Sequence, residues 1–589
     1  MRIREIAICV LCVLAAAELL FVGSQRLEKI NAERAEIKLV MNEPLENAPP
    51  SLAFATVALG AFRGLIVDVL WIRADQLKEE GKFFDAKQLA EWITLLQPRF
   101  GAVWDFQAWN MAFNISVAIP ATRPQERWQW VRNGYELIRD KGLEKNPRNF
   151  DLYRSIAWIF QFKIGNIMDD CHKYYKLQLY HSMKPLVEPQ TQEHYIKLAK
   201  SPQKLEQMLE NPDTVKFLNE LAAADAVFAN QKELVDNYLT LRQQPAKFPD
   251  KAFEVVDKYR GTETLENFDT FAKAYYLRNV WKLEPRLMVQ LNEHYGPIVY
   301  IVPKKVIPLD WTLADVHAIY WAALALRKAG GTYSFEEINT DRIVYQGLQN
   351  LYTRGKMVVY TSRVAAKNDP CSISEQESIF LFPDLRVFDR YDKVMRAIMK
   401  KYADVGGNPE VFKVPHRNTL KRAVLLFYQA GHTDKALEIY NTLRKEYPED
   451  REIQVSLTEY ARNKLMDELN SIGINNATQI ITLMLQEGYY RYAVHDDDEA
   501  FGREKMAKEV YDYYQKKNSD EGVDRVVLPD FNILRFIGLS SFINDPRYPE
   551  DLRQNMLDRI HIERPDLYEQ MKQQQESVMQ QMQNQEGSQ

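Results

Sequence analysis

The sequence predicts an all-α chain of repeated helix pairs with an N-terminal transmembrane helix. Three observations carry that reading. Glycine is scarce, 23 in 589 residues, beside 31 Tyr, 27 Phe and 10 Trp, so tight Gly-rich loops are few and large helix-packing side chains many. A spaced set of Gly, small, apolar and Pro positions recurs 350 residues apart. One run near the start is apolar enough to cross a bilayer. The rest of the composition excludes more than it assigns. With 46% apolar and 27% charged residues the chain is globular. Its 76 Lys+Arg against 81 Asp+Glu, net −5, give no reason to expect a nucleic acid as partner. Four cysteines exclude a disulfide-stapled scaffold.

The first element, Ile6 to Gly23 (IAICVLCVLAAAELLFVG), has one charge, Glu18, and follows Arg2 and Arg4. No convincing small-x-small cleavage site follows Ala15-Ala16-Ala17, so residues 1–25 read as an uncleaved signal anchor and 26–50 as a charged linker helix. Cys9 and Cys12 sit too early for a lipoprotein signal and read as small membrane-buried residues. Arg26, Lys29, Arg34 and Lys38 come after the run, accompanied by Glu28, Glu33 and Glu36. The short N-terminus favours N-inside, with the body on the extracytoplasmic side of an inner (cytoplasmic) membrane crossed once. A second apolar stretch, Ala53 to Ile72, holds Arg63 and Asp68. Each central charge costs ~2.5–3.5 kcal/mol on insertion scales, so this stretch reads as a buried or membrane-surface helix and not a second span.

The repeat lies beyond this stretch. From Gly81 the chain places Ala86, Ala90, Ile93 and Pro98 at offsets 5, 9, 12 and 17; from Gly431 it places Ala436, Tyr440, Leu443 and Pro448 at the same offsets. Before each glycine lie Leu70, Ala74, Leu77 and Leu420, Val424, Phe427, spaced i, i+4, i+7 as on one helix face. Gly ends a first helix, Ala lets a second approach closely, a large apolar residue fills the groove, and Pro closes the unit. On these residues, 68–98 and 418–448, the chain resembles the tetratricopeptide repeat (TPR) family and, with its anchor, a membrane-anchored bacterial TPR-like protein. The resemblance implies a solenoid of antiparallel helix pairs with a concave groove that binds peptides or protein surfaces and has no active site of its own.

Partial units fill more of the chain. Trp104, Ala108 and Met111 repeat the first-helix spacing, and 126–143 reads as its second helix, closed by Pro147. Tyr153, Ala157 and Phe160 open another unit, with Cys171 near the small-residue slot of its second helix. Ile319, Ala323, Leu326 and Gly330 match a first helix and its glycine; Ala500 and Ala507 share a second-helix spacing. Seven of the ten Trp fall within Trp71 to Trp158, which marks 51–185 as Trp-rich N-terminal repeats whose aromatics read first as packing and second as a partner-binding groove. Residues 186–300, punctuated by Pro, read as an irregular helical region. Residues 301–415 read as a degenerate helical repeat with loops at Asn368-Asp369-Pro370 and Gly406 to Pro409. Val299 to Pro308 is the only stretch that looks like a strand or extended linker. Thr312 and Asp315 have capping-box spacing. Residues 416–545 read as C-terminal repeats, and 546–589 as a helical end with a Gln-rich tail from Met571.

Chemistry is sparse. No phosphate loop, dinucleotide fingerprint, zincin or nucleophile-elbow motif occurs, and no paired C-x-x-C. His495-Asp496-Asp497-Asp498-Glu499 clusters oxygens but lacks the spacing of a calcium loop, and reads as a solvated turn between repeat helices. Asp169-Asp170-Cys171-His172 points around a helix instead of converging. Asp310 and His317 would share a helix face and form a candidate pocket pair if the helix already includes Asp310; a lone His near Ile319, Tyr320 and Trp321 reads first as a core residue. No catalytic residue, cofactor or metal is expected. The expectation is a scaffold holding protein partners within an envelope transport, secretion or assembly complex. The alternative is a helical-repeat enzyme or substrate-binding component with a polar pocket in 186–415.

Overall fold

The structure is a computed structural model that describes residues 63–299, 305–329, 331, 334–366, 369–404, 410–430, 432–471, 477–519, 528, 530–544 and 548–573. The expected anchor at Ile6 to Gly23, the expected linker 26–50, Gly330, Asn368, Gly406 to Pro409, Gly431 and the end of the Gln-rich tail lie outside them. Among the described residues no helix is long and apolar enough to cross a membrane.

The chain is mostly helical. Its helices of eight or more residues are α1 Arg63–Glu79, α2 Phe83–Leu96, α3 Gly101–Trp109, α4 Pro124–Glu136, α5 Phe150–Trp158, α6 His172–Val187, α7 Gln192–Lys200, α8 Pro212–Ala224, α9 Leu234–Gln243, α10 Asp250–Lys258, α11 Glu263–Asn279 and α12 Pro285–Tyr295. After a short break come α13 Ala314–Ala329, α14 Phe335–Arg354, α15 Phe388–Asp404, α16 Glu410–Gln429, α17 Thr433–Glu446, α18 Leu457–Ser471, α19 Ala477–Ala493, α20 Asp497–Ser519, α21 Phe531–Asn544 and α22 Glu550–Glu563. Two compact units divide at Val103/Trp104.

In the first unit α1 packs on α2. Gly81 adopts φ +75 between them, with nothing near its missing Cβ, so backbone conformation alone asks for glycine there. Ala86, Ala90 and Ile93 are fully buried on α2, opposite Ala74 and Leu77 of α1. In the second unit α16 packs on α17 in the same manner, with Leu420, Val424 and Phe427 facing Ala436, Tyr440 and Leu443, all buried. The Tyr440 hydroxyl donates to the Ile453 and Val455 carbonyls, which ties the hairpin to the next segment of chain. Further helix pairs are α13 with α14 and α19 with α20, where Ala500 and Ala507 are buried.

Three successive helices, α3, α4 and α5, run on into π-helical turns at Asn110–Ile115, Leu137–Gly142 and Ile159–Ile164. A π turn adds one residue to a helix and so rotates the residues beyond it by about 100°. Composition does not announce it.

Two β features depart from expectation. The strand-like stretch at 299–308 is a pair of two-residue strands, β1 Ile298–Val299 and β2 Lys305–Val306, paired antiparallel. A longer hairpin, β3 Lys356–Ala366 with β4 Asp369–Phe382, pairs Lys356 with Phe382 and Val364 with Ser374. The sequence signals a loop at Asn368-Asp369-Pro370; Asn368 lies outside the described residues, and Asp369 and Pro370 open β4. The alternation through Met357, Val359 and Thr361 and the run Ile379-Phe380-Leu381-Phe382 are the strand signal, overshadowed by the helical reading of the flanks.

Candidate binding cleft

A concavity with a polar and aromatic lining lies among α4, α6, α9 and α11 of the second unit. Trp128, Arg132, Tyr135 and Glu136 of α4 line a cleft of about 340 Å³ with Arg139 of the following π turn. His181 and Ser182 of α6, Asp236 and Gln243 of α9, and Tyr276 and Trp281 at the end of α11 complete it. The spacing 128, 132, 135, 139 is one helix face, and Pro124 at the first turn sets where that helix begins.

The floor is aromatic and held by charge. Arg139 forms a bidentate pair with Asp140, both bonds 2.8 Å, while its guanidinium carbon sits 5.6 Å from the Tyr135 ring centre and 5.9 Å from that of Trp281. Arg132 Nε donates to Glu136 at 2.9 Å on the rim. Trp128 stacks on Tyr175 at 5.8 Å. Burial pushes the Tyr135 phenol far above its ordinary range and raises Tyr276 as well. Asp236 is raised by burial and then by Glu233. Aromatic faces with an ordered guanidinium and carboxylates at the rim suit a peptide segment carrying a large apolar side chain; Trp, Tyr and Arg are the residues that most often anchor protein interfaces.

His317 does not line this cleft. It is fully buried behind Trp281, with its ring 5.6 Å from that indole and stacked on Phe160 at 4.9 Å. Its Nε2 donates to the Trp311 carbonyl at 3.0 Å, and burial pulls its pKa down to about 4, so it is a neutral core residue. Asp310 lines a separate cleft of about 410 Å³. The expectation that the two share a helix face is corrected, since α13 starts only at Ala314. The capping box is corrected too. Asp310 Oδ1 accepts from the Thr312 amide (3.0 Å), the Thr312 hydroxyl (2.6 Å) and Gln190 (2.9 Å), whereas Asp315 accepts from Asn350 at 2.7 Å. The nearer carboxylate wins the loose amide because it needs no helical turn to reach it.

The other two constellations are absorbed by ion pairs. Asp169 takes Lys163 at 2.6 Å, Arg127 at 3.3 Å and the Cys171 amide at 2.9 Å. Cys171 is buried just ahead of α6 and not within it. In His495 to Glu499 the chain turns, with His495 at φ 61, and starts α20 at Asp497. Buried Arg491 binds Glu499, Asp496 and Glu487, Arg559 binds Asp497, and Lys356 reaches Asp496 at 2.9 Å. Cationic side chains therefore already neutralise those carboxylates. Among the described residues no group of three or more His, Cys, Asp or Glu is placed to hold a metal.

A polar cluster under α13 has no counterpart in the sequence motifs. Lys176, on α6, donates to the carbonyls of Ile164 (3.0 Å) and Asn166 (2.9 Å) and to His172 Nδ1 (3.1 Å). Burial pulls its ammonium down to about 7 and pushes the Asp315 carboxyl up to about 6. Compared with protein-family models and with curated protein sequences, the chain matches none.

Proposed function

We propose that this chain is a membrane-anchored scaffold of the TPR-like kind, a helical-repeat solenoid held at the inner membrane by Ile6 to Gly23. Its body stands on the extracytoplasmic side and serves an envelope transport, secretion or assembly complex. The occupant of its groove is a segment of a partner protein, seated in the cleft of Trp128, Tyr135, Tyr276 and Trp281. The supporting observation is that cleft's lining, aromatic on the floor and charged at the rim. The enzyme reading draws no support from its motivating pair, because His317 packs in the core and Asp310 holds the turn at Thr312 ahead of α13.

The test fills the cleft. Ser182 is exposed at its rim, and Ser182→Trp places an indole in the space without touching the core. Full-length protein purified from detergent extract is expected to carry a stoichiometric protein partner, and the variant to retain at least about tenfold less at unchanged melting temperature, the scale of losing one interface anchor. A chain that purifies without a partner, or whose partner ignores the substitution, overturns the proposal.

A further inference from the structure

Helix α1 is apolar on two sides, and α2 covers only one. Val67, Ala74 and Leu77 are buried, at 2%, 0% and 6% exposure. Leu65, Val69 and Ile72, spaced i, i+4, i+7, form a second row on the opposite side and stand 62%, 61% and 59% exposed. Asp68 and Arg73, both exposed, flank that row. A water-facing helix surface ordinarily carries polar residues there.

Two features of the chain say what covers it. The row is the end of the apolar stretch Ala53 to Ile72, whose twenty residues hold two charges, Arg63 and Asp68. Only 39 residues, 24 to 62, separate α1 from the run Ile6 to Gly23. A chain anchored by that run ties α1 to the bilayer through those 39 residues, within a reach of roughly 130 Å. Charges inside the stretch exclude a comfortable crossing, whereas a helix lying in the interface keeps Asp68 and Arg73 at headgroup level and buries the row between them.

We propose that Leu65, Val69 and Ile72 are a second membrane contact, with α1 lying along the headgroup–hydrocarbon boundary of the bilayer. The proposal rests on the anchor reading, so its test separates the two. Full-length protein is reconstituted into vesicles of phosphatidylcholine and phosphatidylglycerol, with an environment-sensitive fluorescent amino acid replacing either Val69 or, as a water-facing control on α2, Gln88. The expected result is that the protein floats with the vesicles and that the probe at 69 is quenched about threefold more by acyl-brominated lipid than the probe at 88, and correspondingly less by aqueous iodide. Flotation with equal iodide quenching at both positions overturns the α1 contact and leaves the anchor standing. Flotation with neither quencher reaching position 69 also overturns it, because protein then covers the row. Failure to float overturns the anchor reading and this proposal with it.

Discussion

Lys176 puts an amine where the chain needs a donor. The π turn that ends α5 leaves the Ile164 and Asn166 carbonyls without helical partners, and Lys176 supplies both bonds from inside the core. Lys176→Met keeps the length and removes the donor, so it is expected to cost about 2–4 kcal/mol at pH 8, the sum for two stranded carbonyls, measured by urea denaturation. Buried histidines set the acid response. His317 and His194 are held near 4, well below their ordinary 6.5, chiefly by burial. Between pH 6.5 and 4 the unfolded chain therefore binds more protons, and stability falls as pH falls, by up to about 3 kcal/mol for each histidine. Asp315, pushed up to about 6 from 3.8, works the other way, since below pH 6 the folded chain takes up its proton first. Asp315→Asn deletes that offset. The variant is expected to be more stable than the parent above pH 7 and to lose stability more steeply between pH 6 and 4, read from denaturation midpoints across that range.

Helix contacts in this protein hinge on where Cβ atoms are missing. A Cβ on Gly134 of α4 would lie 2.9 Å from the Ala108 carbonyl oxygen and 3.0 Å from Ala112 Cβ. Backbone cannot retreat as a side chain can, so Gly134→Ala is expected to cost about 1–3 kcal/mol through separation of α4 from α3 and its π turn. Gly81→Ala, which meets nothing but a positive φ, should cost only about 1 kcal/mol. Thermal denaturation of the two variants ranks them. The difference also explains what could be read from the sequence. Gly81 was legible because a glycine after a periodic run is a helix stop. Gly134 was not, because a mid-helix glycine has no local signature of the neighbour that presses on it. The π turns were hidden for a related reason: their residues have ordinary helix composition, and the extra residue shows only in how the helices pack. The cleft inherits that opacity. Trp128 and Tyr135 stand out only as members of an aromatic-rich region, while Tyr276 and Trp281, more than 130 positions downstream, share no motif with them.

At the scale of the whole second unit, contacts do not stay between helices consecutive in sequence. Helix α5 packs on α13, α7 on α12, and Gln161 donates to the Ile343 carbonyl at 2.9 Å. The irregular region from 186 onward therefore leaves and returns, and brings α13 beside α5. Local hairpins were legible because the spacing of each helix pair lies within about 30 consecutive residues; this return was not, since it depends on pairings across more than 150 positions. An array joined only to its neighbours opens piecemeal. Here α5 and α13 are expected to open together, and native-state hydrogen exchange should give their slowest amides the same opening free energy. Distinct values would mean that the return contact carries no cooperativity. Trp281 sits at the junction of these levels, touching Arg139 on the cleft side and His317 within the core. Its indole is a native optical gauge, so the emission lost on Trp281→Phe should shift both when the cleft is occupied and when acid charges His317.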